Sequence, residues 1–293
     1  MDNLYDKIYL SSNISFLLDC YINSFKNLKL CIIDKNSNLG GAWQVSNSRV
    51  HLQWIHDKSH VDQINKDLSI VDKKYKLKGP LKYVKTLDNT VYKKHYLYHI
   101  NKGSNEFIKD LIKKIKNKNN IDIIKDEIKK IDNNNVYGNY KYSFKKLYLT
   151  NNIKLRNYIN INKTYNHYFI EVSSSLIKPL DVLICDLSYY KPVIKSNIFN
   201  SLFFLLNVTS FYPLKKDTQY FSCRIKTNNF TQDFKEYLIK NKITNKDVKI
   251  KILEKDTYIQ NRLYNFNHKA YSNIHYFNTM NYFKFLVKCA KLR

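Results

Sequence analysis

The sequence predicts an α/β fold, a parallel sheet flanked by helices and interrupted by inserted antiparallel elements. Three observations carry this. Lys7–Leu10, a helix from Ile14 and the run Lys29–Ile33 make a strand–helix–strand unit of about 30 residues, and such units pack right-handed and parallel. Strand and helix alternate again towards the other end of the chain. Between these stretches, residues 136–175 alternate Tyr, Phe and Ile with polar residues, as antiparallel strands do.

Each element has its own signal. Ile14, Leu17, Leu18, Tyr21, Ile22 and Phe25 fall on one helix face, and Lys29–Ile33 ends in Asp34 as a strand buried on both faces would. Ser59 can cap a short helix through Leu68, with Val61, Ile64 and Leu68 on one side, and Gly79-Pro80 predicts a turn. His95–Ile100 alternates as a strand that Lys102-Gly103 stops. Ser104 then reads as the N-cap of a strong helix with Phe107, Ile108, Leu111, Ile112 and Ile115 buried. Lys113, Lys114, Lys116 and Lys118 follow at its end, where cations oppose the macrodipole. Short strands are expected at Ile121–Ile124 and Glu127–Ile131, and a buried parallel strand at Asp181–Cys185. Strands at Phe203–Val208 and Ile274–Phe277 and helices at Thr231–Lys240 and Asn281–Lys291 complete the list.

With 293 residues, 44% of them hydrophobic, the chain can bury the core of one large or two modest domains. That excludes a disordered or collagen-like chain. No apolar run approaches the roughly 18 residues of a membrane span. Met1–Asp6 offers neither a basic head nor an apolar signal core, so a soluble, cytoplasmic (intracellular) protein is expected. Cys20, Cys31, Cys185, Cys223 and Cys289 show no CxxC spacing, which argues against a zinc ribbon or a disulfide framework. The formal charge of +26 is a footprint shared with nucleic-acid binders. Yet only Arg49, Arg156, Arg224, Arg262 and Arg293 are arginines, and lysine lacks the planar fork that pairs with phosphates and bases. Dispersed lysines, together with abundant Asn, Ile, Tyr and Phe, fit the codon bias of an AT-rich genome, and a nucleic-acid partner is disfavoured.

The turn after the first strand carries the chemistry. In a dinucleotide-binding unit it is G-x-G-x-x-G, with glycines for the tight turn, for close approach of the pyrophosphate and for helix–sheet packing. Here Ser11, Asn13 and Phe16 occupy those three places and Ser12 lies between the first two. Phe16 is expected to wedge the helix off the sheet. The acid that takes ribose hydroxyls survives as Asp34, followed by Lys35 and then by Gly40-Gly41-Ala42-Trp43.

The segment Asp34–Trp43 resembles the E-x-x-x-x-x-G-G stretch of FAD-dependent oxidoreductases. The particular group is the clan of amine oxidase, protoporphyrinogen oxidase, phytoene desaturase and UDP-galactopyranose mutase. Tyr98–Asp132 is similar to that clan's glycine–helix–strand block, and Asp181–Cys185 to the strand that returns the chain to the FAD domain. The resemblance implies a Rossmann-like FAD/NAD(P)-binding domain with a discontinuous antiparallel α+β substrate domain. Residues 1–50, 95–190 and 265–293 would form the first, with 51–94 and 191–264 as substrate-type insertions. It further implies that Asp34 meets the adenosine ribose, Gly40 and Gly41 the pyrophosphate side, and the Ile128 backbone the adenine. The flavin's substrate face would be reached from Trp43, Tyr98 and His99. Asn278 stands where the clan has an acidic residue on the ribityl chain.

Two function classes follow, with a basic nucleic-acid-associated protein, motivated by the +26 charge, as a weaker third. One is an FAD-dependent oxidoreductase acting on a small molecule. The other is a pseudoenzyme of the same fold that has lost FAD and serves as a scaffold for a protein partner, as in the Rab GDP-dissociation inhibitors. Elsewhere, His51, His56 and His60 with Asp57 lack metal-ligand spacing, and no metal is expected. His95 and His99 share a strand face and suit either a cavity or an ordinary packed position. Trp43 and Trp54 read as core anchors or stacking groups. No Ser-His-Asp order, P-loop or paired-carboxylate site is present.

Overall fold

The structure is a computed structural model that describes residues 4–40, 53–55, 59–81, 84–85, 96–150, 159–175, 182–183, 202–207, 215–225, 230–240, 242–264 and 272–277. The chain opens with β1 (Leu4–Leu10), α1 (Ile14–Asn23) and β2 (Leu30–Asp34). Next come β3 (Gln53–Ile55), α2 (Ser59–Val71), β4 (Leu77–Leu81), β5 (Val84–Lys85), β6 (Tyr96–Ile100) and α3 (Ser104–Lys116). They are followed by β7 (Ile121–Lys125), β8 (Lys130–Ile131), β9 (Asn135–Tyr137) and β10 (Lys141–Thr150). The remaining elements are β11 (Ile159–Ser173), β12 (Val182–Leu183), β13 (Leu202–Asn207), β14 (Thr218–Ile225), α4 (Phe230–Lys240), β15 (Lys249–Tyr264) and β16 (Ile274–Phe277).

The main sheet runs β7–β2–β1–β10, with every neighbouring pair parallel. β10 carries two strands on its far edge: its start pairs antiparallel with β9, and its end pairs parallel with β16. β1 therefore lies where the strand order changes direction. Alternation along the strands sorts the core. Tyr9, Leu30 and Ile32 face the layer built by α1, α2 and α3, while Ile8, Leu10, Cys31 and Ile33 face the other way, against Phe144, Leu147 and Leu149. Phe107, Ile108, Leu111, Ile112 and Ile115 of α3 are all buried, as the periodicity predicts. Asn27, in the left-handed region at φ 52°, turns the chain from α1 into β2.

A second sheet, β13–β14–β11–β15, is wholly antiparallel. α4 packs on it through Phe230, stacked on Tyr168 at 4.4 Å, and Phe234, edge-on to Phe221 at 6.1 Å. β3, β6 and β4 make a third small sheet, and β5 pairs with β12.

Several expectations change. Gly79-Pro80 is no turn: both residues lie inside β4, where the register slips between Lys78 and Leu81 and Gly79 has φ 142°. Glycine and proline at a bulge in an edge strand meet the same backbone demands as a turn, and their pairing does not tell the two apart. The α3 cap is Gly103, at φ 87°, and Ser104 is already helical. Glu127–Ile131 contributes only β8 to a strand. Val182–Leu183 pairs with β5 and not with the main sheet, because a short apolar run carries no information about its partner. β11 joins the second sheet, although residues 95–190 read as one continuous part of the first. His95, Asp181, Ile184, Cys185 and the 281–291 helix lie outside the described residues, as do His51, His56 and Asp57. No helix among the described residues is long and apolar enough to cross a membrane.

Candidate functional site

The carboxyl ends of β1 and β2 bring six of the sequence-predicted residues together: Ser11, Ser12, Asn13, Asp34, Lys35 and Gly40. Ser11 leaves β1 with its N–H donating to the Ile33 carbonyl at 2.9 Å, which ties the turn to the tip of β2. Its φ of 119° belongs to a region that side chains rarely adopt, and such backbones cost about 1–3 kcal/mol. The shape that a glycine would give at this position is thus kept by a serine.

Ser12 is the clasp of the turn. Its N–H and hydroxyl both donate to Asp34 Oδ2, at 2.7 and 2.6 Å. The Gly40 N–H is shared between the Ser12 hydroxyl and the Ser12 carbonyl oxygen, each at 3.0 Å. One buried serine therefore joins the β1–α1 turn, the end of β2 and the start of the Gly40-Gly41 pair. Asp34 itself is half-buried, and its Oδ1 accepts from the Asn36 N–H at 2.9 Å. A carboxylate has about four lone-pair directions, so three such contacts leave capacity for a further donor. Lys35 is exposed beside it.

Asn13 caps α1. Its Oδ1 accepts from the Ser15 and Phe16 N–H groups at 3.1 and 3.0 Å, while its Nδ2 is buried without a partner. The sequence places Asn13 at a glycine site; the capping role was legible in the preference of Asn for helix starts. Phe16, read in the sequence as a wedge, is taken up by the core. It is fully buried and packs on Tyr9 at 5.7 Å and edge-on to Phe277 at 6.4 Å. Tyr148 completes the cluster, stacked on Tyr9 at 5.0 Å and on Phe277 at 6.2 Å. Rings from β1 and β16 thus lie against Phe16, and Tyr148 of β10 stacks on both of them.

Other expected residues are more distant in role. Ile128 is buried against the β2 side of the sheet, and its segment is tied to the site because the Asp126 N–H donates to the Asp34 carbonyl at 3.1 Å. The Tyr98 side chain is buried in the helical-side core. His99 lies on β6 in the same strand. Gly41, Ala42, Trp43 and Asn278 lie outside the described residues.

A polar network beneath α1 was missed by sequence reasoning. Lys7 Nζ donates to Asn23 Oδ1 at 2.9 Å, Asn23 Nδ2 donates to Asp19 Oδ2 at 3.0 Å, and the Tyr9 hydroxyl donates to the same oxygen at 2.7 Å. All four residues are buried. The signal was there: Lys7 and Tyr9 share one strand face, and Asp19 and Asn23 are four apart on the helix that covers it. Burial drives the Tyr9 hydroxyl well above its ordinary value, and the Asp19 charge adds to this. Cys20 and Cys31 are buried as free thiols, and burial raises both thiols as well.

No family model and no curated protein matches this chain. Solved structures do. Over 99% of its length the chain is similar to p-nitrophenol 4-monooxygenase from Pseudomonas putida, with TM-score 0.55, 10% identity and 77% of that chain covered. A Rab GDI from Plasmodium falciparum gives TM-score 0.55 at 9% identity, covering 98% of this chain and 96% of that one. A geranylgeranyl bacteriochlorophyll reductase-like protein from Thermoplasma acidophilum gives TM-score 0.53 at 12% identity, covering 99% and 77%. The likeness reaches the broad FAD-binding type of fold and stops short of the amine oxidase clan. The chain has the mixed α/β, Rossmann-like FAD/NAD(P)-binding fold shared by flavoprotein monooxygenases and a Rab GDI.

Proposed function

We propose that this chain is an FAD-binding protein of the oxidoreductase type, holding the adenosine end of FAD between the Ser11–Asn13 turn, Asp34 and Gly40. One observation carries the reading. A half-buried carboxylate, Asp34, stands at the carboxyl end of β2 and is drawn against the turn into α1, beside the strand where the sheet order reverses. Crevices outside such strand ends are where doubly wound folds take their ligands.

The residues present fit the group. Ser11 keeps the backbone shape of the turn, Asp34 has acceptor capacity for a ribose hydroxyl, and Asn13 Nδ2 is a buried donor with no acceptor. Bound FAD would supply the redox chemistry on a small-molecule substrate. The part of the chain is to bind and orient: Asp34 accepts from the ribose, and Ser12 keeps that carboxylate aimed at the mouth.

Protein purified without added cofactor and titrated with FAD is expected to change the flavin fluorescence saturably. Asp34→Ala is expected to weaken binding about 10- to 100-fold, from the loss of a hydrogen bond to a charged group worth about 1.5–3 kcal/mol. A colourless preparation that leaves FAD fluorescence unchanged at every concentration would remove the reading.

A second reading, a non-catalytic scaffold with a protein partner, is favoured by one observation. Asn13 Oδ1 already holds the N–H groups of Ser15 and Phe16, which an anion at the start of α1 would take. Magnitudes keep it second. An Asn cap contributes about 1 kcal/mol and nanomolar binding about 12 kcal/mol, so displacing the cap weakens a dinucleotide site without abolishing it.

A further inference from the structure

We propose that the outer edge of β15 is a self-association surface: two copies of this chain pair their β15 strands antiparallel about a twofold axis at Ile252. The surface belongs to the second sheet and uses no residue of the mouth.

β15 ends the order β13–β14–β11–β15, and among the described residues no strand pairs with its other side. It is 16 residues long and has neither glycine nor proline, whereas the edge strand of a monomer is usually short or interrupted. Its first part is open to solvent. Lys249, Lys251 and Lys255 are exposed, and so are the apolar Ile252, at 41%, and Leu253, at 36%. Unpaired strand N–H and C=O groups beside exposed apolar side chains are a template for another strand.

The register decides which strand. Lys249, Lys251, Glu254 and Asp256 lie opposite Ser173, Glu171, Phe169 and His167, alternate residues of β11, so the four positions share one face of the sheet. A plain period of two would put the lysines and the acids on opposite faces. The bulge at Leu253, the residue skipped between Ile252 and Glu254, brings them together. With the axis at Ile252, Lys249 falls opposite Asp256 of the second copy, Lys251 falls opposite Glu254, and Ile252 meets its own counterpart. Each charge pair then occurs twice. An axis at Lys251, Glu254 or Lys255 would set that charge against itself, and complete overlap of the two strands would set Lys251 against Arg262. Lysines on an edge ordinarily repel a neighbour. Here both lysines of the charged face meet an acid, and Lys255 holds its ammonium over the Tyr168 ring of its own copy at 5.6 Å. Glu171, opposite Lys251 within the sheet, is already held by Lys215 at 3.0 Å. The pattern is complementary to itself, which selects a second copy over a peptide of one charge sign. Pairing uses up the β15 edge of both copies, so this contact closes as a dimer.

Sedimentation of the full chain across a concentration series is expected to show a reversible monomer–dimer equilibrium, with amide exchange of residues 249–256 slowing as the dimer forms. Lys251→Glu or Glu254→Lys sets like charges opposite each other twice and should weaken dimerisation about tenfold or more, while each variant keeps a single cooperative melt. Mixing the two variants restores both opposite-charge pairs, so the mixture should associate as the parent does. A parent that stays monomeric at every concentration overturns the proposal, and protection of the same amides by an Asp/Glu-rich peptide would then give the edge to another partner. A dimer whose 249–256 amides exchange as fast as in the monomer also overturns it. So does a Lys251→Glu protein that dimerises like the parent, or a mixture of the two variants that fails to associate.

Discussion

Asp19→Ala is expected to be among the most destabilising single changes in the chain, although Asp19 is far from any surface. Asp19 is 1% exposed, and its Oδ2 is the acceptor for the Tyr9 hydroxyl at 2.7 Å and for Asn23 Nδ2 at 3.0 Å. Asn23 in turn accepts from Lys7 Nζ at 2.9 Å, and Lys7 is 7% exposed. Removing the carboxylate takes this acceptor from the Tyr9 hydroxyl and from one N–H of Asn23 Nδ2, whose other N–H keeps the Asp19 backbone carbonyl at 2.8 Å. A buried donor that loses its acceptor costs about 1–3 kcal/mol, so the two together should cost about 2–6 kcal/mol. At about 2–4 °C per kcal/mol for a large domain, the melting temperature should fall by about 4–24 °C. Replacing all four groups by apolar ones of similar size (Lys7→Met, Tyr9→Phe, Asp19→Leu, Asn23→Leu) should leave stability within about 1 kcal/mol of the parent, or raise it, since desolvating the charges offsets most of their attraction. Equilibrium urea unfolding followed by far-UV circular dichroism measures both. An Asp19→Ala loss under about 1 kcal/mol would refute the reasoning, because no buried donor could then depend on that carboxylate.

Two further outcomes can be checked on the same preparation. A Cβ at Gly138 would lie 2.4 Å from Asp126 Oδ2, inside a carboxylate that also accepts from the Asn139 and Glu127 N–H groups and the Tyr142 hydroxyl, so Gly138→Ala should lower stability by about 1–3 kcal/mol in a thermal melt. Unchanged stability would show that this turn has room the distances deny. On acidification stability should fall in two stages. Burial, then Lys146 and Lys7, hold His275 below its ordinary 6.5, so its contribution is whole above that value and is lost as pH falls through the lower folded one. Asp247 is held at about 2, against an ordinary 3.8, by the Ser174 and Ser175 hydroxyls and the Ser175 N–H, and its contribution is lost between those values. Melting temperatures across the acid range read both stages, and His275→Phe should erase the upper one alone.

How much of this was legible in the sequence depended on whether the signal was local. The five apolar residues of the α3 stripe and the run ending in Asp34 were readable, because periodicity reports burial directly. Pairing partners were not. Nothing in Val182–Leu183 names β5, and nothing in the alternation of residues 136–175 shows that β10 lies parallel to β1 while β11 joins another sheet. Asp34 and Ser12 were identifiable by position, but their mutual hydrogen bonds depend on a chain reversal through α1 that spacing alone does not orient. Lys7 was read as an ordinary strand residue because a lysine in a strand is usually solvated; only the helix above it, carrying Asp19 and Asn23, makes its burial possible.

The three glycine sites of the turn show why the cradle survives a sequence that has lost all of them. Their roles are physically separate. The conformational role falls on Ser11, which holds φ 119° at a cost of about 1–3 kcal/mol, a strain that persists only where neighbours over-determine the backbone. Those neighbours are visible: the Ile33 carbonyl on the Ser11 N–H, and Asp34 on Ser12. The close-approach role belongs to the second site, where Asn13 spends its Oδ1 on the helix and so supplies the cap that an anion would otherwise provide. The packing role belongs to the third, and Phe16 meets it by exchanging close contact for an aromatic cluster with Tyr9, Tyr148 and Phe277. The first replacement is a local strain already borne by the fold, and the third is repacking within the core. A chain can therefore keep the strand–helix–strand geometry with no glycine in the turn.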